Sequence, residues 1–474
     1  MPEAKDTLAI HRKALDINLD PTIFGSFAEI GGGQEVARNF FQAGGASGTI
    51  AKTISAYDKR YSDAIYSRHQ HAKRYVSRER LEVMLEAEYD EVLSFLNETK
   101  NPGTRFFSFA DTVSTLNFRK DNISHGWLGV RFQLKENAEP NCVIIHVRLH
   151  ENDNLLQQNT LGVLGVNLIY ACYYLWERPN SFLQSLLDNL TTDRVEITMV
   201  NMNGAELSYV DNRLLAVQLV KNGMTGAIMF DRYGMVQESD DMLYKKNAIV
   251  FRGSFRPVTY VSVDMLKSSF SLFKKDEDYD KKNTIPICEI TLNNLLSEGD
   301  FDEHDFLDRV DLLNEMGQNV MVSNFREFYK LVRFLTQFRI IKLRVVIGVE
   351  TFEKVLNEKY YTHLKGGILE ALGELFPANM KMYVYPALDE GTNKLVTTKN
   401  LSFPESTQHL FEHLVANRLI LDIKNMNINY LRIHSKEILD KIHHGGTGWE
   451  SMVPVFIAKR IKERKLFGYH GNDY

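Results

Sequence analysis

The sequence predicts an α/β protein: βαβ units with a mainly parallel sheet or a (β/α) barrel, an N-terminal glycine-rich and helical segment, and a mostly helical C-terminal tail. Three observations carry this. Short runs rich in β-branched and aromatic residues recur after Pro102, helical patterns separate several of them, and from Ile285 onward strand and helix alternate at βαβ spacing. With 474 residues, 44% of them hydrophobic and 25% charged, the chain is long enough for more than one core. Those proportions exclude a disordered chain, a collagen-like fibre and a small disulfide scaffold.

In chain order, 1–100 form a glycine-rich and helical region. Gly25, Gly31-Gly32-Gly33, Gly44-Gly45 and Gly48 supply turns, and Gln34–Gln42 between them reads as a short helix with Val36, Phe40 and Phe41 on offer to one face. A long helical stretch follows, with segregated charge: seven Lys/Arg against two acids over Lys59–Arg80, then six acids and no base over Glu82–Glu98. That pattern marks two solvated helix faces, or a basic segment docking on an acidic surface of this chain or another copy.

A first α/β region spans 101–273. Strands are expected at Arg105–Phe109, Trp127–Phe132, Val143–Leu149, Val195–Val200, Ala227–Phe230, Ala248–Phe251 and Val258–Val263. Helices are expected at Leu155–Trp176, Ser181–Leu190 and Asn212–Lys221, the last stopped by Asn222-Gly223. The charged stretch Lys274–Lys282 lacks apolar periodicity, so 274–283 is the expected linker or exposed loop. The second α/β region, 284–400, alternates strand Ile285–Leu292, helix Glu303–Met316, strand Asn319–Ser323, helix Arg326–Phe338, strand Leu343–Val349, helix up to Phe376 and strand Lys381–Tyr385. The remainder, 401–474, reads as mostly helical. Counting elements does not separate an open doubly wound sheet from a closed barrel.

Composition also bounds compartment and partners. Lys plus Arg total 56 against 61 for Asp plus Glu, a net charge of −5, which argues against nucleic acid as the main partner. The three cysteines (Cys142, Cys172, Cys288) lie far apart without C-x-x-C spacing, which suits a reducing cytosol. The first twenty residues hold no apolar signal-peptide core, and the apolar run Leu161–Leu175 contains Asn167 and falls short of the roughly 20 residues of a membrane span. A cytoplasmic protein without a membrane partner is expected, and the segregated charge favours a homo-oligomer.

The stretch Gly25–Gln34 (GSFAEIGGGQ) resembles the start of nicotinate-nucleotide adenylyltransferases, in which Gly-Ser/Thr-Phe-x-x-Ile leads into two histidines separated by two residues. Gly31 and Gln34 stand at those positions here, so adenylyl transfer is not expected. As a whole, the chain resembles a widespread, uncharacterised family of bacterial proteins of similar length, through Phe27–Tyr57, His125–Phe132, Arg252–Thr259 and Lys359–Phe376. Its members go under two conflicting descriptions, nicotinate-nucleotide adenylyltransferase and TonB-dependent receptor. The first lacks its histidines here, and the second needs many outward-apolar strands that this sequence does not have. The resemblance therefore implies a bacterial family but no activity.

Arg252 and Arg256 flank Gly253-Ser254-Phe255 after an expected strand. In an extended chain they share a side, where two guanidiniums suit a phosphate or carboxylate, or else two structural salt bridges. Gly366-Gly367 before a helix offers a second anion seat, or a plain turn beside Tyr360, Tyr361 and His363. Gly44–Thr53 fails as a phosphate-binding loop because Ala51, not glycine, precedes Lys52. Sites in α/β folds form at the C-terminal ends of parallel strands. That rule adds Arg148, His150, Asn201, Asn203, Asp231, Asn293, Ser323, Asn324 and Glu350. Glu289 sits within an apolar strand, where a carboxylate needs a partner or a role. Asp111 and Thr112 follow one strand and His125 opens the next, so a carboxylate and an imidazole converging there suit acid–base work.

The candidate catalytic residues are thus Asp111, His125, Asp231 and Glu289, and the candidate anion-binding residues Arg252, Arg256, Gly366 and Gly367. No metal site is expected: His69-x-His71 and His443-His444 lack a third ligand at a familiar spacing. The cofactor stays open. The leading expectation is an enzyme or sensor that binds an anionic or phosphorylated small molecule, and the alternative is a non-catalytic self-associating scaffold or regulator.

Overall fold

The computed structural model describes residues 7–66, 74–96, 102–276, 279–296, 301–389 and 391–470. The chain divides into two units, Met1–Thr225 and Gly226–Tyr474, each with its own core. The charged stretch 274–283 therefore lies inside the second unit and not at the division.

Among the described residues six strands build the first unit: β1 (Ile23–Ile30), β2 (Ile50–Ser55), β3 (Arg105–Ser114), β4 (His125–Phe132), β5 (Asn141–Leu149) and β6 (Val195–Asn203), in the order β2-β1-β3-β4-β5-β6. β1 runs parallel to both β2 and β3, while β3 to β6 alternate in direction. The first sheet is therefore mixed. Short loops join β3 to β4 and β4 to β5, and such connections return the chain antiparallel. β1 and β2 were not among the expected strands. Every residue of β1 is buried, as in a strand covered on both faces, so it shows no period-2 alternation.

Among the described residues seven α-helices accompany the sheet: α1 (Ile10–Asn18), α2 (Gln34–Ala43), α3 (Lys59–Tyr66), α4 (Arg78–Leu96), α5 (Asn154–Tyr174), α6 (Pro179–Leu186) and α7 (Asn212–Lys221). α1, α2 and α5 pack on one another over one face, where Val36 and Phe40 meet Phe27, Phe107 and Phe109. α4 covers the other face, with Tyr89 and Val92 on Phe24 and Phe106. α5 is apolar all round because it is buried for most of its length. No helix among the described residues is long and apolar enough to cross a membrane. The chain leaves β1 through α2 towards β2, then returns through α3 and α4 on the opposite face to β3. β1 and β3 thus flank a topological switch point.

The second unit carries β7 (Ala227–Phe230), β8 (Val236–Gln237), β9 (Asn247–Arg252), β10 (Thr284–Thr291), β11 (Asn319–Ser323), β12 (Lys342–Gly348), β13 (Met380–Tyr385), a ribbon of β14 (Ala387–Leu388) with β15 (Leu395–Val396), and β16 (Ile420–Asp422). Its main sheet runs β16-β13-β12-β9-β10-β11-β7-β8. The six strands from β16 to β11 are parallel, and β7 and β8 add an antiparallel edge. Winding outward from β9 to β11 on one side and from β12 to β16 on the other is the doubly wound order, and its two free edges make the sheet open and not a barrel. Between and after the strands lie α8 (Ser239–Leu243), α9 (Tyr260–Phe273), α10 (Leu292–Leu296), α11 (Glu303–Glu315), α12 (Phe328–Thr336), α13 (Val349–Val355), α14 (Gly367–Leu375), α15 (Glu405–Ala416), α16 (Ser435–His443) and α17 (Val455–Arg464). Val258–Val263 leads into α9 and is not a strand. Thr259 caps that helix by accepting from the Ser262 amide, and the cap outweighs the β-branched pattern.

Candidate functional site

Parallel β1 and β3 set Glu29 and Asp111 opposite one another as register partners, close to the C-terminal ends of the strands that flank the switch point. Both side chains share the α2 face with Phe27 and Phe109, because residues two apart point the same way. Glu29 is 3% exposed and Asp111 fully buried. Ser55 on β2 donates its hydroxyl to Glu29 Oε2 at 3.0 Å. Glu29 Oε1 and both Asp111 carboxyl oxygens are buried and have no hydrogen-bond partner within 3.5 Å among the described residues.

The glycine-rich turn from β1 to α2 roofs this pair. Gly31 takes φ +105°, and a Cβ on it would lie 2.0 Å from the Val113 carbonyl oxygen. A Cβ on Gly33 would lie 1.4 Å from Asp111 Oδ2. Only glycine admits the backbone there. Gly33 is also the N-cap of α2, and no side chain caps that helix.

Burial pushes the Glu29 carboxyl up to about 7, against a smaller opposing pull from the Ser55 hydroxyl. Burial also raises Asp111 well above the usual carboxylate range, and the neighbouring Glu29 charge adds to it. The Ile30 backbone amide opposes both and lowers it. Two carboxyls side by side in a buried site oppose each other's ionisation, which is the direction of both shifts.

The other candidates separate. His125 pairs with Ser114 while Asp111 pairs with Leu128, so the imidazole faces away from the Asp111 carboxyl, on the opposite side of the sheet. The expected convergence does not occur. His125 Nδ1 lies 3.1 Å from His146 Nε2, and His146 Nδ1 lies 2.6 Å from the Thr198 hydroxyl. Arg148, His150, Asn201 and Asn203 lie near the ends of antiparallel strands, where the rule that nominated them does not apply. Asp231 holds a turn. Its Oδ1 accepts from the Tyr233 and Met235 amides at 2.8 and 3.0 Å, and because β7 is antiparallel to β11 this turn lies at the N-terminal edge of the parallel strands.

Arg252 and Glu289 are register partners on β9 and β10. The guanidinium clasps the carboxylate through two bonds of 2.8 Å, and Ser323 donates to Glu289 Oε1 at 2.6 Å. Arg252 also donates to the Arg326 carbonyl at 3.0 Å and lies over the Phe328 ring. Arg256 takes a different carboxylate, Asp305 on α11, at 2.5 Å. The two arginines therefore do not form a joint anion seat. Each anchors a loop of the second unit. The Gly366 amide donates to Glu370 Oε2 at 2.8 Å, so its own helix fills that seat; Gly367 opens α14 with φ +56°. Glu350 is exposed just past β12.

His443 and His444 close α16, His69 and His71 lie outside the described residues, and no group of three or more His, Cys, Asp or Glu side chains among the described ones is placed to hold a metal ion. Glu29 is the residue that sequence reasoning missed. Its signal was present: a carboxylate in the mostly apolar strand IFGSFAEI, the same argument that picked out Glu289.

No protein-family model matches the chain, and no curated relative matches it. Among solved structures, the competence/damage inducible protein CihA from Agrobacterium tumefaciens aligns at 14% identity and TM-score 0.25, covering 35% of this chain and 98% of its own. A competence-damaged protein (CinA) superfamily protein from Escherichia coli aligns at 15% identity and TM-score 0.24, covering 39% of this chain and 94% of its own. Likeness at this level carries no argument about either unit.

Proposed function

We propose that the protein is an enzyme that binds a small anionic molecule at the C-terminal edge of the first sheet, beside the Glu29–Asp111 pair and the start of α2. One observation carries the reading: two buried carboxyls with three unpaired oxygens lie at the switch point of an open α/β sheet, under a turn with room for glycine alone. Unsatisfied buried polar groups are costly, and folds retain them at working sites more than elsewhere. The uncapped amides at the start of α2 supply attraction for an anion.

The scaffold alternative draws on the segregated charge of 59–98. Among the described residues, Arg80 pairs with Asp63, Arg78 with Glu82, and Lys52 with Glu88 and Glu91, all inside the first unit. Those charges favour internal closure over assembly.

Native mass spectrometry of the protein and its Asp111→Asn variant, both purified gently from the native source, tests the reading. We expect a small-molecule adduct on the wild type that the variant loses. An adduct that survives the substitution, or no adduct on the wild type, overturns it.

A further inference from the structure

Ser55 closes β2, the outermost strand of the first sheet among the described residues, and is exposed at its C-terminal edge. Its hydroxyl donates inward to Glu29 Oε2 at 3.0 Å, so a hydroxyl that solvent reaches is joined to a carboxyl that is 3% exposed. An exposed serine has water to bond and needs no acceptor from the protein. A buried carboxylate that takes a surface hydroxyl as its partner has the arrangement of a general base beside a nucleophile, within the roughly 2.6–3.2 Å over which a proton passes.

The surroundings agree with that arrangement. Asp111 is fully buried and its oxygens meet no hydroxyl among the described residues, so of the two carboxyls Glu29 is the one joined to the surface. Ser55 is the register partner of Glu29, and the Ala56 amide donates to the Glu29 carbonyl at 3.1 Å. Successive amides of a strand point opposite ways in the plane of the sheet, so the Ser55 amide points away from β1, to the open edge. The amide of the nucleophile's own residue is a donor suited to an oxyanion. Thr53 and Tyr57 beside it are exposed too, so a substrate meets Ser55 from solvent and does not enter the sealed space around Asp111.

Resting on the function proposed above, we propose that Ser55 is the nucleophile and Glu29 the general base of an acyl-transfer site that acts on a small anionic ester. Ser55 Oγ bonds to the carbonyl carbon while its proton passes to Glu29 Oε2, and the carbonyl π pair moves onto the oxygen that faces the Ser55 amide. The pair then returns, the bond from that carbon to the alkoxy oxygen breaks, and the alcohol leaves with the proton from Glu29. Water repeats the sequence on the acyl-serine, which releases the carboxylic acid and restores the hydroxyl.

p-Nitrophenyl acetate and a fluorophosphonate are the probes, used on the full chain. The first should give a burst of p-nitrophenol stoichiometric with the chain, and the second a covalent label that peptide mass mapping places on Ser55. Ser55→Ala should lose both. Glu29→Gln, which keeps side-chain volume, should slow the burst by about 100-fold or more with its melting curve still cooperative. In wild type, without any substitution, the burst should quicken as pH rises through about 7, because the base works deprotonated and burial holds the Glu29 carboxyl there. Asp111 on β3 and Tyr66 at the end of α3 are the other titratable side chains coupled to Glu29 by charge, and burial pushes both upward. No label on wild type, a label on another residue, a burst that survives Ser55→Ala, an unchanged burst in folded Glu29→Gln, or a rate flat through that pH range each overturns the proposal. If the co-purifying adduct depends on Asp111 while neither probe reaches Ser55, the nucleophile falls and the proposed ligand site stands. Loss of both removes the two together.

Discussion

At the scale of single residues, two buried carboxylates show how surroundings decide a role. Glu289 has a guanidinium bound through two bonds and a serine hydroxyl, so its acceptors are met. Removing one partner of such a pair costs about 3–5 kcal/mol, because the other charge stays buried and alone. Arg252→Ala should therefore destabilise the second unit by that amount in urea unfolding, and Arg252→Met with Glu289→Leu should recover most of it. A stable Arg252→Ala that loses an anionic ligand would instead restore an anion site there. Among the described residues the Glu29 carboxyl has only the Ser55 hydroxyl. Its folded-state carboxyl titrates at about 7 against an ordinary 4.5, so the native state binds the proton more tightly than the unfolded state does. The stabilisation is complete below about pH 4.5 and is lost as pH rises to about 7, a fall of about 3 kcal/mol. Denaturation midpoints taken across that range in EDTA should show the fall in wild type and a shallower one in Glu29→Gln.

At the scale of elements, the turn between β1 and α2 is the most constrained piece of the first unit. Gly33 has an ordinary negative φ, so its constraint is steric: the Asp111 carboxyl occupies the place of a side chain. Gly33→Ala should cost about 1–3 kcal/mol by overpacking. Gly33→Ala combined with Asp111→Ala should recover part of that loss in thermal unfolding, since the clash goes with the carboxyl. The same element shows where pattern reading succeeds and fails. Gln34–Gln42 is legible as a helix because its apolar residues recur on one face, and α2 runs Gln34–Ala43. β1 was hidden because a strand buried on both faces loses its alternation. Val258–Val263 misled because a threonine cap at the head of α9 is a stronger local instruction than a β-branched run.

At the scale of the whole molecule, two cores without shared membership predict two unfolding events. Calorimetry should resolve two transitions, with Gly33→Ala lowering one and Arg252→Ala the other. A single transition that both substitutions shift equally would show the units unfold as one. What the sequence determined by itself was the class: β-rich runs alternating with amphipathic helices, and an apolar composition able to fill those cores. It also marked the chemistry-bearing types, with Asp111, Glu289, Arg252 and Arg256 all named from their local surroundings. Only the tertiary structure decided their partners. Strand order and register set Arg252 on Glu289, sent Arg256 to Asp305, turned His125 to the other face from Asp111, and brought Glu29 beside Asp111. The physical reason is that local pattern reports burial and period, which act over a few residues. Pairing across a sheet depends on which distant strands become neighbours, and no short window of sequence contains that choice.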